Sequence, residues 1–219
     1  GVRNTPANRD GENAVVQAVF GSVDFDLTDT LTATAELRYQ EDETTLGAPV
    51  DPGVAAPMTA TFTDTMPRAI LKWQPTQATN LYLSWSKGVL PGQFNAQYIT
   101  ATAFQRAQIE AAFPGVSETA PSQDIESLEV GLKQSTGWGR WTLAAFGSEV
   151  DALIAFDAAT FLPQNIARAR LAGLEGSLRV QRAGWRLEQS LTWLEAEDRS
   201  AGSTRGRELP RRPALSGRT

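Results

Sequence analysis

Along residues 31–40 apolar and polar side chains alternate without a break: Leu31, Ala33, Ala35, Leu37 and Tyr39 fall on one side, Thr32, Thr34, Glu36, Arg38 and Gln40 on the other. A period of two is that of an extended strand with one greasy and one wet face. The stretch upstream alternates likewise, with Val19, Val23, Phe25 and Leu27 against Ser22, Asp24 and Asp26, and Leu27-Thr28-Asp29-Thr30-Leu31 closes the two into a hairpin. Two more strands are predicted at 62–74 and 81–88. Ala69, Leu71 and Trp73 oppose Arg68, Ile70 and Lys72; Leu81, Leu83 and Trp85 oppose Tyr82, Ser84 and Ser86. Ile70 and Tyr82 are exceptions on the wet side.

A fifth strand at 125–134 sets Leu128, Val130 and Leu132 against Ser127, Glu129, Gly131 and Lys133. A sixth at 141–156 alternates less regularly. The last hairpin joins 167–181, with Leu174, Leu178 and Val180 against Glu175, Ser177 and Arg179, to 185–197, with Leu187, Leu191 and Trp193 against Arg186, Glu188 and Thr192. The expected strands, of roughly 10 to 15 residues, exceed the usual globular mean of about 5 to 6.

Their connections alternate in length. Tight turns fall at 28–30, 76–80, 137–140 and 182–184, and long connections at 41–60, 88–124, 157–166 and 198–209. A soluble sandwich has no reason to gather its short turns at one end and its long loops at the other, whereas a transmembrane barrel does. The predicted class is therefore all-β: part of a transmembrane antiparallel up-and-down β-barrel, about eight long strands, with short periplasmic turns and long extracellular loops. Trp73, Trp138, Trp141 and Trp185 lie beside the short turns, where an aromatic girdle belongs.

Composition removes other classes. With no histidine and no cysteine the chain has no disulfide, no thiolate, no His-based triad and no zinc site of the usual ligand set. It is read as a non-enzyme with neither cofactor nor metal. A formal net charge of −5 without a basic cluster argues against nucleic acid. The acidic run Glu41-Asp42-Glu43 is read as a solvated loop face.

In the connection 88–124, residues 100–113 are predicted to form a short helix, with Phe104, Ala107, Ala111 and Ala112 near one face and Pro114-Gly115 as its stop. Gln93, Phe94, Tyr98, Phe104 and Arg106 in this loop are the ligand-contacting candidates; the alternative is a loop that only packs on its neighbours. Glu36, Arg38, Arg68, Lys72, Glu129, Lys133, Glu175 and Arg179 are expected to face the lumen, as a lining for passage or as a solvated wall that contacts a plug.

Several strand phrases carry a family resemblance: AVFGSVDFDLTDTLTATAELRY over 18–39, NLYLSWSKG over 80–88, ESLEVGLK over 126–133 and GLEGSL over 173–178, with LPRRP over 209–213 leading into a further strand. Together they resemble the barrel of TonB-dependent outer-membrane receptors. The resemblance implies a Gram-negative outer membrane, contact with its lipid, a plug domain and TonB as partners, and active uptake of a scarce small molecule, a ferric siderophore first. That family's barrel has about 22 strands, so residues 1–219 are expected to be a partial barrel without its plug and its last strands. The rival reading is a small passive, porin-like barrel or a structural anchor.

Overall fold

The computed structural model describes residues 12–47, 58–112, 114–156, 163–182, 184–200, 205–209 and 212–218. Its elements in chain order are β1 (Glu12–Thr28), β2 (Leu31–Leu46), β3 (Met58–Thr76), β4 (Thr79–Leu90), β5 (Gln93–Phe94), α1 (Ala96–Thr100), α2 (Ala103–Ala112), β6 (Thr119–Ala120), β7 (Gln123–Thr136), β8 (Gly139–Phe156), β9 (Pro163–Arg182), β10 (Trp185–Asp198) and β11 (Leu215–Arg218). One sheet runs in the order β1-β2-β3-β4-β7-β8-β9-β10-β11, and β5 pairs with β6 inside the connection between β4 and β7. The pairs β3–β4, β7–β8, β8–β9, β9–β10 and β10–β11 are antiparallel. This is the expected up-and-down order, with β11 as the start of a ninth long-sheet strand.

The tight turns share a device that periodicity does not reveal. Thr28, Thr76 and Thr136 each end a strand, and each hydroxyl accepts a backbone N–H just beyond: from Thr30 at 3.3 Å, Ala78 at 3.3 Å and Gly139 at 3.2 Å. A threonine that closes its own turn in this way fixes where the strand stops. The fourth turn uses Gly184, whose φ of 82° is open to glycine at little cost.

The strands outrun their predicted ends. β2 continues to Leu46 and β3 starts at Met58, so the connection expected at 41–60 is shorter; β9 likewise starts at Pro163. Away from the turns both faces carry polar residues, so the alternation fades while the hydrogen-bonded ladder goes on. The acidic run is corrected for the same reason: it lies within β2, and Asp42 is buried and accepts from Gln40 Nε2 at 2.8 Å. Within 198–209, Asp198 N donates to Arg207 O and Leu209 N to Ala196 O, both at 2.9 Å, so residues 207–209 pair back onto β10.

The chain forms two compact units. Gly1–Val19, Tyr39–Thr65 and Leu90–Ser122 make one. In it Gly92 is buried where any Cβ would strike the Phe62 ring and the Ala120 carbonyl. Gly92 N donates to Ser122 Oγ at 3.2 Å, and Ser122 Oγ to Asp64 Oδ2 at 3.4 Å. These bonds tie the start and end of the helical connection to β3. Phe20–Arg38, Met66–Val89 and Gln123–Thr219 make the other unit. The buried apolar residues among those described are Val150, Ala169, Ala196 and Leu209, one small cluster with Leu171 packed against it. That is far too little to serve as a globular core, which directs attention to the two faces of the sheet.

Candidate functional site

The second unit carries a polar face that can be followed strand by strand. Arg68 Nη1 reaches Glu36 Oε2 at 3.4 Å, tying that side of β2 to the side of β3 bearing Arg68, Ile70 and Lys72. Register sets these three opposite Ser86, Ser84 and Tyr82. The Tyr82 hydroxyl donates to Glu129 Oε1 at 2.5 Å, and Lys133 Nζ stands 4.9 Å from the Tyr82 ring centroid. From Glu129 the face passes to Phe146, from Lys133 to Thr142, and on to Gly173, Glu175, Ser177 and Arg179 of β9. Arg179 then meets Glu188 of β10 at 2.9 Å. Hydroxyl pairs fill the gaps, Ser127 with Ser148 at 2.8 Å and Thr142 with Ser177 at 2.7 Å. Thr32 and Thr34 donate to Asp26 and Asp24 at 2.9 and 2.5 Å. Thus Glu36, Arg38, Arg68, Lys72, Glu129, Lys133, Glu175 and Arg179 share one face of the sheet.

The apolar exceptions on that face have a purpose. Gly131 presents no side chain, and the Tyr82 ring fills the place a Cβ would take. At Gly173 a Cβ would meet both the Trp193 carbonyl and the Phe146 ring. An aromatic side chain laid over a glycine of the neighbouring strand screens exposed backbone and pins the register. Phe146 is thus one source of the irregular alternation of β8.

The opposite face is apolar and uncovered. Leu37, Leu71, Leu83, Leu128, Val130, Leu143, Leu174, Leu187 and Leu191 are each between 41% and 55% exposed. Leu31, Ala33, Ala35, Leu132 and Leu178 share the same side by alternation and register. So large a contiguous apolar surface needs a nonaqueous neighbour. Toward the tight turns it carries Trp73, Trp141 and Trp185, with Trp138 in the turn itself. Its other limit is a charged register row, with Glu126 opposite Glu149 and Glu149 opposite Arg170. Trp85 marks that limit, its indole N–H donating to Glu126 Oε1 at 2.6 Å, beside the Lys87–Asp124 pair at 2.9 Å and the Arg168–Asp151 pair at 2.9 Å. From Trp185 to Glu195 on β10 the strand climbs roughly 33 Å, or roughly 23 Å at a 45° tilt, close to the roughly 25 Å apolar band of a membrane barrel. Trp85 and the outer boundary it marks were not anticipated from the sequence.

The loop candidates belong to the first unit. Helix α2 replaces the helix expected at 100–113 and is preceded by the short α1, whose Asn95 cap accepts from Tyr98 N at 3.3 Å. Three polar residues knit the two helices. Arg106 donates to the Ile99 carbonyl at 2.8 Å and lies 5.1 Å from the Tyr98 ring centroid, while the Tyr98 hydroxyl donates to Glu110 Oε1 at 2.6 Å. The Glu110 hydrogen bond raises the Tyr98 phenol above its ordinary pKa, and the Glu110 charge adds to it. The apolar helical face stands outward: Phe104 is 73% exposed and Ala107 and Ala111 are exposed, whereas Arg106 and Ile109 turn inward. Interhelical hydrogen bonds, absent from an apolar count, set that orientation. Gln93 is exposed and Phe94 half-buried in β5, opposite Ala120 and Thr119. The structure therefore brings Tyr98 and Arg106 together and leaves Phe104 and Gln93 apart from them.

Among the described residues no three His, Cys, Asp or Glu side chains converge on a metal-sized site. No helix among them is long and apolar enough to cross a membrane, which says nothing of strands.

A strand meander with one polar face, one exposed apolar face and tryptophans at both limits is a barrel wall, and comparison with known proteins assigns it. The profile described as "TonB dependent receptor-like, beta-barrel" matches residues 1–219. The chain belongs to this family. Among solved structures it is similar to the ferric yersiniabactin uptake receptor FyuA from Yersinia pestis, at 15% identity and a TM-score of 0.73 over 94% of this chain and 30% of that one. It is also similar to BauA, the ferric preacinetobactin receptor from Acinetobacter baumannii, at 20% identity and a TM-score of 0.67 over 93% and 29%. The unliganded ferric citrate transporter FecA matches at 18% identity and a TM-score of 0.66 over 94% and 30%. At these identities the likeness is one of fold. The chain spans about 30% of the length of the first of these receptors. A search of curated protein sequences finds no match.

Proposed function

We propose that residues 1–219 form one stretch of the barrel wall of an outer-membrane receptor that imports a scarce nutrient, a ferric siderophore first, into a Gram-negative bacterium. The observation that carries the reading is the division of the sheet into a hydrated polar face and an exposed apolar face limited by tryptophans and charges. Lipid covers the apolar side, and Glu36, Arg38, Arg68, Lys72, Glu129, Lys133, Glu175 and Arg179 line the lumen. Each of those charges sits where water or a partner can solvate it, which a lipid-facing position would not allow.

The wall supplies shape and no chemistry. On this reading the rest of the protein contributes the missing strands and a plug that TonB pulls to open the way, so energy enters through the plug. Selectivity rests on the connection between β4 and β7, whose two helices are held in place by Tyr98, Arg106 and Glu110. Three neighbouring folds are named for ferric chelates, which favours an iron complex as the cargo.

The experiment is uptake by cells with and without the full-length gene. Radiolabelled ferric siderophores of differing chemistry are supplied in a strain carrying TonB and in one lacking it. Loss of uptake of one complex on deletion of the gene, and equal loss without TonB, supports the reading. Passive, TonB-independent entry of small solutes of many kinds would replace it with a porin-like function.

A further inference from the structure

The connection between β4 and β7 leaves and returns through a narrow neck. Gln93 pairs with Ala120 and Phe94 with Thr119, and Asn95 N donates to Glu118 O at 2.8 Å. The rung at the base of this ladder is made by a side chain: Ser122 Oγ accepts from Gly92 N at 3.2 Å and donates to Asp64 Oδ2 of β3 at 3.4 Å. Ser122 thereby joins the outgoing leg, the returning leg and the strand beside them.

Both legs are stiff at the level where a hinge would have to lie. Pro91 and Pro121 stand one residue before Gly92 and Ser122, and a proline ring fixes φ. Gly92 has the widest backbone freedom in the legs, yet it is buried, with the Phe62 ring and the Ala120 carbonyl filling the space beside its Cα. Gly115, the other glycine of the connection, turns the chain back above the neck at φ 90°, so bending there cannot swing the two helices together. Above the neck the helices are braced as well. Asn95 caps α1, and Thr102 accepts from Gln105 N at 3.3 Å while Gln105 Oε1 accepts from Thr102 N at 2.8 Å. The Arg106 bond to the Ile99 carbonyl and the Tyr98 bond to Glu110 then hold α1 and α2 to each other. Segments that move in folded proteins have few buried contacts and loosely held ends, whereas this one is fastened at its base and braced within.

We propose that α1 and α2 form a fixed platform, not a swinging lid: in the unloaded receptor Ser122, bonded to both Gly92 and Asp64, pins the neck and holds the helix pair in one position. Ser122 is a positioning residue, acting through the neck and touching no cargo. The pin is independent of the transport reading, since it acts before any cargo arrives; on that reading, capture takes place on a surface already formed.

The test uses the full-length receptor in vesicles without cargo, any cysteine elsewhere in it replaced by serine. Spin labels on Thr61→Cys and Gln108→Cys, exposed positions of β3 and α2, report the distance from strand to helix by pulsed electron paramagnetic resonance. One narrow distance is expected, broadened or split in Ser122→Ala and narrow again in Ser122→Thr, which keeps the hydroxyl. Amide hydrogen exchange separates a pin from a merely local bond. Gly92 loses its acceptor directly in Ser122→Ala, whereas Asn95, bonded to Glu118, is freed only if the neck opens as a unit; its exchange is expected to quicken about tenfold, the scale of one to two net hydrogen bonds. A broad or two-peaked distance in the unaltered receptor overturns the proposal. So does a narrow one that Ser122→Ala leaves unchanged, or exchange that quickens at Gly92 alone. Should Ser122→Ala fail to reach the cell surface, Asp64→Ala carries the same expectations. Uptake of radiolabelled ferric chelate is read in parallel: its absence in a receptor with a pinned neck counts against the transport reading and leaves the pin standing.

Discussion

The ring of Tyr82 on β4 occupies the place that a Cβ on Gly131 of β7 would need. Its hydroxyl donates to Glu129 at 2.5 Å and Lys133 stands over its face at 4.9 Å, so one aromatic side chain joins three alternate positions of the next strand. Replacement of Gly131 by alanine displaces the ring and both of its contacts. A cost of about 1 to 3 kcal/mol is expected, since overpacking carries that range. Combined with Tyr82→Ala the cost should largely vanish, giving a coupling energy of roughly 0.5 to 3 kcal/mol. Urea unfolding of the full-length receptor refolded in vesicles measures both. Additive losses would mean that the ring and the glycine act separately.

Gly139 offers a contrast. The obstacle to a Cβ there is the Arg179 carbonyl, which is backbone and cannot swing aside as a tyrosine ring can. Gly139→Ala is therefore expected to destabilise the β8–β9 ladder at least as much as Gly131→Ala, and no single side-chain truncation should rescue it. Hydrogen exchange of the Val180 and Gln181 amides reports the local loss.

On β4, Leu83 and Ser84 point to opposite faces. An arginine at Leu83 meets lipid and is expected to cost about 2 to 4 kcal/mol near the bilayer midplane, whereas Ser84→Arg meets water and should be nearly neutral. Equal losses in the same vesicle assay would overturn the assignment of the faces.

These expectations were largely readable from the sequence because a sheet with one exposed apolar face and one hydrated face carries strict period-two patterning. Leu31 to Leu37, Leu81 to Trp85 and Leu128 to Leu132 each repeat apolar residues every second position, and all three lie on the exposed apolar side. The ends of β2 and β9 were not readable, since beyond the band both faces are polar and period two falls silent. Tyr82 is an exception in the pattern and 141–156 alternates irregularly; the glycines beside the Tyr82 and Phe146 rings become visible only in the structure. In the loop, the apolar spacing of Phe104, Ala107 and Ala111 marked a helix, and that side stands exposed because Tyr98, Arg106 and Glu110 decide the packing through polar contacts.

The contact of Tyr98 with Glu110 is expected to depend on pH at the alkaline end. The phenol pKa is raised, so the neutral, hydrogen-bonded form is stabilised in the folded loop. That contribution is fully present below the ordinary tyrosine value and is lost as pH climbs through the raised one, where phenolate would face carboxylate. The difference between ultraviolet titrations of the receptor and of Tyr98→Phe should isolate a tyrosine that titrates late, and this difference should move back toward the ordinary value in Glu110→Gln.

Deletion of residues 100–113 removes α2 and leaves the β4 and β7 strands whole. Normal surface assembly with loss of uptake is the expected outcome, measured by cell-surface labelling and radiolabelled chelate import. Unchanged uptake would place ligand capture elsewhere.

The central claim is that this sheet is a membrane wall with lipid on one face and water on the other. The chain contains no cysteine, so single cysteines can be introduced one by one at Leu81, Tyr82, Leu83, Ser84, Trp85 and Ser86 without background from this segment. In cells expressing the full-length receptor, each is treated with a water-soluble thiol reagent, and in vesicles each is labelled with a fluorophore and exposed to quencher-bearing lipid. The account predicts strict alternation: positions 81, 83 and 85 are quenched by lipid and slow to react in water, and positions 82, 84 and 86 show the reverse. Uniform reactivity along the six positions, or lipid quenching at 82, 84 and 86, would contradict it.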